Sequence, residues 1–547
     1  MKETLINRLR KSQSKNPEKA ALVVKRNEAW KKVSYSMLLK AAKRVSSILI
    51  YYGIKPKDKI AIIGANSPEW VISFFGVMMS GAIVVPLDKE LKRNEIMHIL
   101  EDSEAKALIA SSKYIDLIQS VASKEQPIFL MDKIGLPADP KLSLAKKDNI
   151  FSFLDVSVEE SEPKIELNPG DIVEIIYTSG TTGKSKGVML THSNILSNID
   201  ALINWMELDE NMKVLSVLPI HHVYESTCGI LTPLMLGGTI FFAESLKKIG
   251  ENLKETRPNF FLGVPAIFSK MYERINKDVE KSFFAKLLLS LPLFRKIVQK
   301  KIKDKIAGDA IFVSGGSALD PNVAKGLKRF GINIFQGYGI TETSPVISVE
   351  NHNNMRIGSV GFPLPGLQVK IHEPNKDGIG EIWVKGPSVM KGYYKNYKAT
   401  REVLVNGWYK TGDLGRIDDD GFLYITGRIK NLIVTSKGKN IYPEELEKEL
   451  LKSPFIEEVM VYGKKIAESE KVCATIYPNF DLIKEYFLEV GLESFSIKEI
   501  EKFIVKEVQN ICKTLSPFKR IKDIVIREEE FPKTSTRKIK RHEVELI

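Results

Sequence analysis

The chain has 547 residues, 43% hydrophobic and 27% charged, with 36 Gly and 25 Pro, a composition that excludes a single small module, a fibrous chain and a disordered one. Its 81 Lys and Arg outnumber 68 Asp and Glu by 13, which raises nucleic acid, anionic membrane or phosphorylated substrates as partners. The charge is concentrated: residues 1–60 hold 16 basic and 4 acidic groups, residues 277–305 hold 9 and 3, and each block reads either as a solvated face or as a docking surface.

Cys228, Cys473 and Cys512 lie far apart, and the first twenty residues carry charges throughout without an apolar signal segment; both features predict a reducing, cytoplasmic setting. Two uncharged windows, 70–87 and 226–243, reach the length of a membrane span. Gly76, Ser80, Gly81 and Pro86 break the first, and Pro233, Gly237 and Gly238 the second, so each predicts a buried helix followed by a buried strand. Short β-branched runs at 60–64, 107–110, 214–218, 260–264, 310–313 and 332–335 alternate with helical patterns, which predicts a doubly wound α/β body with largely parallel sheets. From about Val360, short strands and turn signals such as Asp418-Asp419-Asp420-Gly421 predict a small antiparallel or barrel-like subdomain. Beyond Arg428 an α+β pattern takes over, with helix signals at Pro443 and across 496–515. The expected organisation is a large domain over 1–429 and a smaller α+β domain over 430–547.

The most informative stretch runs from Asp171 to His192. Ile172 to Tyr177 reads as a buried strand, and it enters TSGTTGKSKG, Thr178 to Gly187, where glycines let the backbone approach a ligand while hydroxyls and Lys184 and Lys186 supply donors and charge. That is the chemistry of a polyphosphate cradle. A Walker A loop would require glycine at Thr178 and a helix directly after the lysine, whereas Gly187 to Leu190 reads as a second strand and the next helix begins only after Thr191.

This loop resembles the phosphate-binding signature of the adenylate-forming (AMP-binding) superfamily, which includes acyl- and aryl-CoA synthetases. Further family motifs follow in order: GYGITET at 337–343, YKTGD at 409–413, GRIKN at 427–431 and PKTSTRKIKR at 532–541. The resemblance implies that Thr178, Ser179, Gly180, Thr181, Thr182, Gly183, Lys184 and Lys186 hold phosphate. It implies an adenine pocket from Gly315, Gly316, Ser317, Gln336, Gly337, Tyr338 and Gly339, with Tyr338 stacked on the base, and it assigns Thr341 to the α-phosphate and Glu342 to Mg²⁺. Asp413 would take the ribose hydroxyls and Arg428 ribose or phosphate. Lys538 matches the catalytic lysine, Lys430 the position about which the mobile C-terminal domain rotates, and Gly438 the face then turned to a thiol tunnel. One departure is Arg537, which stands where the family usually has Gly before this lysine; if the loop needs φ > 0 there, Arg costs stability.

VLPIHHVYE, 217–225, resembles the segment that separates the acyl site from the nucleotide, with His222 as its gate. Adjacent histidines on a strand point apart and no carboxylate stands at ligand spacing, so a metal site at His221 and His222 is not expected. HVYE and GVPAIFSKMYERI, 263–275, resemble the long-chain branch. The expected function is activation of a long-chain fatty acid to acyl-AMP and transfer to coenzyme A, with ATP and Mg²⁺ as cofactors. The alternatives are transfer to an acyl carrier protein, and a non-catalytic nucleotide-binding protein; nucleic acid is not an expected partner. Within 277–305, Phe283, Phe284, Leu287, Leu288, Leu291 and Phe294 are mixed with lysines, which reads either as an insertion packed on the body or as peripheral contact with an anionic membrane.

Overall fold

The computed structural model describes residues 3–132, 149–153, 165–178, 185–434, 439–466, 469–492, 495–534 and 538–544. The chain divides into two compact units, Met1–Gln368 with Val384–Tyr409, and Val369–Trp383 with Lys410–Ile547. Residues 369–383 and 410–429, which the sequence pattern groups with the large domain, fall in the second unit. There the stretch 413–417 pairs antiparallel with Leu423–Arg428 across the Asp-rich turn.

In the first unit the alternating helices and β-branched runs build two sheets, as the pattern predicts. One has nine strands in the order Phe362–Pro363, Val346–Val349, Ile334–Gly339, Ile311–Ser314, Phe260–Gly263, Lys213–Ser216, Thr239–Phe242, Ala20–Arg26, Ala29–Ser34. Its six strands from Ile334–Gly339 to Ala20–Arg26 are parallel and its edges antiparallel. The other has eight strands, of which Ile172–Thr178, Ile83–Leu87, Lys59–Ile63, Ala105–Ala110, Ile128–Leu130 and Ile150–Ser152 are parallel. Lys186–Thr191 and Gly392–Tyr393 continue this sheet antiparallel at one side.

The two apolar windows are interior. Every residue of the helix Pro68–Met79 is buried, and so is every residue of the strand Ile83–Leu87 that follows. The second window becomes a π-helical turn, Tyr224–Leu231, then the helix Thr232–Leu236 and the strand Thr239–Phe242. No helix among the described residues is long and apolar enough to cross a membrane.

The second unit holds an α+β core. The strands Ile456–Ile466, Ser469–Pro478 and Asp523–Ile526 form a sheet, and the helices Pro443–Leu450, Phe480–Glu489 and Ile497–Lys513 cover it. Ser496 and Glu499 close a capping box on the last helix, and Ile500, Ile504, Val508 and Cys512, spaced four apart, bury its inner stripe.

Candidate functional site

The phosphate-loop motif stands on an antiparallel pair. Register sets Thr178 opposite Lys186, so the chain leaves the Ile172–Thr178 strand and returns to the sheet at one point. Ser179, Gly180, Thr181, Thr182, Gly183 and Lys184 lie outside the described residues. After the return strand, the Thr191 hydroxyl accepts the Asn194 N–H at 3.1 Å and starts the helix His192–Met206. A strand thus follows the loop, as the sequence predicts and as a Walker A loop forbids.

The strand Ile334–Gly339 runs beyond the 332–335 run and carries Gln336, Gly337, Tyr338 and Gly339 itself. The buried Gln336 side chain accepts the Leu319 N–H at 3.2 Å, which ties the strand to the 314–321 segment. Its backbone N–H donates to Glu350 at 2.9 Å, and burial pushes the Glu350 carboxyl up to about 7. Gly316 takes φ +86°, and a Cβ at Gly315 would meet the Tyr224 ring at 2.8 Å, so the glycines are required both by conformation and by close approach. Half-buried Thr341 and Glu342 follow in a single 3₁₀ turn, Thr341–Thr343.

A residue that no motif flags joins these parts. The Tyr393 hydroxyl donates to Glu342 Oε1 at 2.8 Å, and the Lys186 ammonium lies 5.3 Å from the centre of the Tyr393 ring. Tyr393 reaches both because Gly392–Tyr393 pairs with Met189 and Val188 of the return strand. The outgoing end of the phosphate loop and the proposed metal carboxylate therefore converge on one tyrosine.

The histidine segment corrects the sequence reading. Residues 219–222 turn rather than extend, and the His221 and His222 rings approach to 4.6 Å between centres. Asp88, just past the Ile83–Leu87 strand, places Oδ2 3.2 Å from His221 Nε2, and ligand atoms of all three residues lie within 4.8 Å of one another. The carboxylate comes from more than a hundred residues away, which is why no local spacing revealed it. Asn66 braces the same turn: its amide donates to the Leu218 carbonyl at 2.6 Å and accepts the Ile220 N–H at 3.1 Å. Glu225 is buried behind it, where desolvation pushes its carboxyl up to about 8 while the Ser216 hydroxyl donates to it at 2.5 Å.

In the second unit, register sets Asp413 opposite Arg428, and Arg428 Nε donates to Asp413 Oδ1 at 2.5 Å. Asp413 is buried and Arg428 exposed. Two residues on, Lys430 is exposed in a 3₁₀ turn. Lys533 bridges Ile539, and the Thr534 N–H donates to the Lys538 carbonyl at 2.8 Å. Within this motif Lys533 pairs with Glu458 and Glu530, Lys540 with Glu543 and Arg541 with Glu447. Lys538 makes no such ion pair among the described residues; desolvation of its ammonium, and then the Arg428 charge, hold its pKa below the ordinary lysine value, with Asp413 opposing. Gly438 and Arg537 lie outside the described residues.

The model of the AMP-binding enzyme family matches residues 9–394, and the chain belongs to that family. It is 30% identical to the long-chain-fatty-acid–CoA ligase FadD15 of Mycobacterium bovis, over 76% of this chain and 72% of that one. It is 28% identical to a chloroplastic long-chain-fatty-acid–[acyl-carrier-protein] ligase of Arabidopsis thaliana, over 90% of this chain and 79% of that one. The fold is shared with ATP-bound MatB of Rhodopseudomonas palustris, with a TM-score of 0.78 at 24% identity, over 99% of this chain and 98% of that one.

Proposed function

We propose that the protein activates a long-chain fatty acid with MgATP and passes the acyl group to the thiol of coenzyme A. The observation that carries this reading is the family match over 9–394, on a chain whose Lys186 and Glu342 converge on Tyr393. A partly exposed carboxylate with one oxygen held by a tyrosine suits a hard cation that keeps phosphate oxygens as its other ligands, so Glu342 fits the Mg²⁺ of the nucleotide substrate.

In the first step a carboxylate oxygen of the fatty acid attacks the α-phosphorus, and the bond to the bridging oxygen breaks to release pyrophosphate. In the second, the thiol sulfur attacks the acyl carbon and AMP leaves, the thiol proton passing to solvent. No side chain need become covalently attached. Thr341 and Lys538 would stabilise charge at the α-phosphate, Asp413 and Arg428 would orient the ribose, Tyr338 would hold adenine, and His222 would gate the acyl path. We further place the domain boundary of the working enzyme at 429/430, with rotation about Lys430 exchanging Lys538 for the Gly438 face between steps. Lys430→Pro is expected to lower thioester formation more than tenfold while leaving pyrophosphate exchange within about twofold.

The experiment is pyrophosphate exchange into ATP across carboxylates from short to long. Exchange is expected with long-chain acids and is expected to fall by about 10²-fold or more in Lys538→Ala. Reaction only with short or aromatic acids would overturn the substrate while leaving adenylation standing; no exchange with any acid would overturn both. The similarity to an acyl-carrier-protein ligase over 90% of this chain supports a second reading, in which the acceptor is an acidic carrier protein. Comparing coenzyme A with carrier protein as acceptor separates the two. The proposed location is the cytoplasm, at the periphery of a membrane from which such acids are drawn.

A further inference from the structure

The helices Phe283–Ser290 and Pro292–Asp304 form a hairpin on the first unit. Leu289 and Val298 anchor it, buried with Val279 and Phe330 and packed beside Tyr272 and Ile275. That anchorage leaves a second set of apolar side chains in water. Phe283 and Phe284 are 74% and 75% exposed, and Leu287, Leu291, Phe294 and Ile297 are exposed as well. Six of the nineteen exposed large apolar side chains among the described residues thus fall within fifteen positions. Their spacing, 283/284, 287 and 291 and then 294 and 297, makes an apolar band along the hairpin, turned away from Leu289 on the first helix and flanking Val298 on the second.

The exposed charged groups of the hairpin are mainly cationic, Lys286, Arg295, Lys296, Lys300 and Lys301 against Asp304, and Lys281 and Lys305 flank it. Aromatic and aliphatic groups surrounded by lysine and arginine match the boundary of an anionic bilayer, where rings and alkyl chains enter the acyl edge while ammonium groups meet lipid phosphates. The helices have 8 and 13 residues, too short to cross a bilayer, so they would lie in its plane. A second exposed apolar group, Leu488, Val490 and Leu492, has Glu485 and Glu489 beside the single Lys484 and so lacks a cationic surround. We propose that the 283–304 hairpin docks the protein on an anionic lipid bilayer. The proposal rests on the fatty-acid reading only for its purpose, delivery of a water-insoluble acid.

The test is co-flotation of the full chain, without substrate, with phosphatidylcholine vesicles and with vesicles containing about 30 mol% phosphatidylserine. Partition into the anionic vesicles is expected to exceed that into the neutral ones by about tenfold and to weaken at high salt. It is expected to fall by about tenfold or more when Phe283, Phe284, Leu287, Phe294 and Ile297 are together replaced by serine. Absence of flotation by the unaltered chain, or equal flotation by a folded variant, overturns the proposal. So does a wild-type dimer, or carrier-protein binding, that the substitutions abolish without any vesicle binding. If the multiple variant does not fold, Phe284→Trp carries the test: quenching of that tryptophan by brominated anionic lipid is expected, and none overturns it. Because no substrate is present, failure here leaves the ligase reading intact, and an inactive enzyme that floats leaves the surface intact.

Discussion

At the scale of single residues, the site depends on groups that position other groups. Tyr393 is the clearest case, since its hydroxyl holds Glu342 at 2.8 Å and a lost hydrogen bond of this kind costs about 1 kcal/mol. Tyr393→Phe is expected to raise KM for MgATP about fivefold with little change in thermal stability, measured by pyrophosphate exchange at varied nucleotide. An unchanged KM would remove Tyr393 from nucleotide binding. Asp88 has the same relation to His221: Asp88→Asn keeps the shape but removes the charge facing the ring. It is expected to alter the dependence of rate on fatty acid concentration rather than on ATP, because the turn at 219–222 belongs to the acyl side of the proposed site.

At the scale of elements, the strand Ile172–Thr178 carries a cost. Glu174 is fully buried with neither carboxylate oxygen hydrogen-bonded among the described residues, and burial pushes its carboxyl from 4.5 up to about 8. The folded chain therefore keeps a proton that the unfolded chain releases. This contribution to stability is fully present below pH 4.5 and is lost as pH rises through about 8. Glu174→Gln is expected to flatten that decline, gaining about 3 kcal/mol relative to wild type between pH 5 and pH 8, as read from denaturation midpoints. The same strand shows what local sequence reveals. Its apolar run, the glycines beyond it and the Thr191 cap are all neighbours in the chain, so strand, loop, strand and helix were legible in order. Tyr393, Asp88 and Asn66 were not, because each reaches the site through pairing or turns between segments more than a hundred residues apart. The π-helical turn at Tyr224–Leu231 was likewise hidden, since its apolar and small residues fit an ordinary buried helix equally well. The ends of strands also moved: Gln336 to Gly339 extend the strand expected at 332–335 because antiparallel pairing with Val346–Val349 takes them up.

At the scale of the whole chain, the first unit is closed by its own beginning. The Leu5 N–H donates to His192 Nδ1 at 3.3 Å, the buried Ser12 hydroxyl donates to the Met235 carbonyl at 3.0 Å, and the Tyr35 hydroxyl donates to the Gly238 carbonyl at 2.8 Å. Burial holds His192 down at about 4, with Asp171 opposing. The unfolded chain takes up this proton first, so stability falls as pH drops from about 6.5 towards 4. Earlier amide exchange in Leu5–Lys15 at pH 5 than at pH 7, after correction for the intrinsic rate, is the expected outcome, and His192→Gln is expected to abolish the difference.

The strand Ala20–Arg26 has its parallel neighbour at Thr239–Phe242, with Leu22 beside Ile240. A ribosome adding 5–20 residues each second needs roughly 10–40 s to travel between those two segments. For that interval the lysine-rich beginning of the chain has emerged without the strand it joins, and its apolar side chains are open to whatever they meet first. The nine-stranded sheet is thus also a clock: its first strands wait for Thr239–Phe242, and it cannot be completed before Phe362–Pro363 has been made.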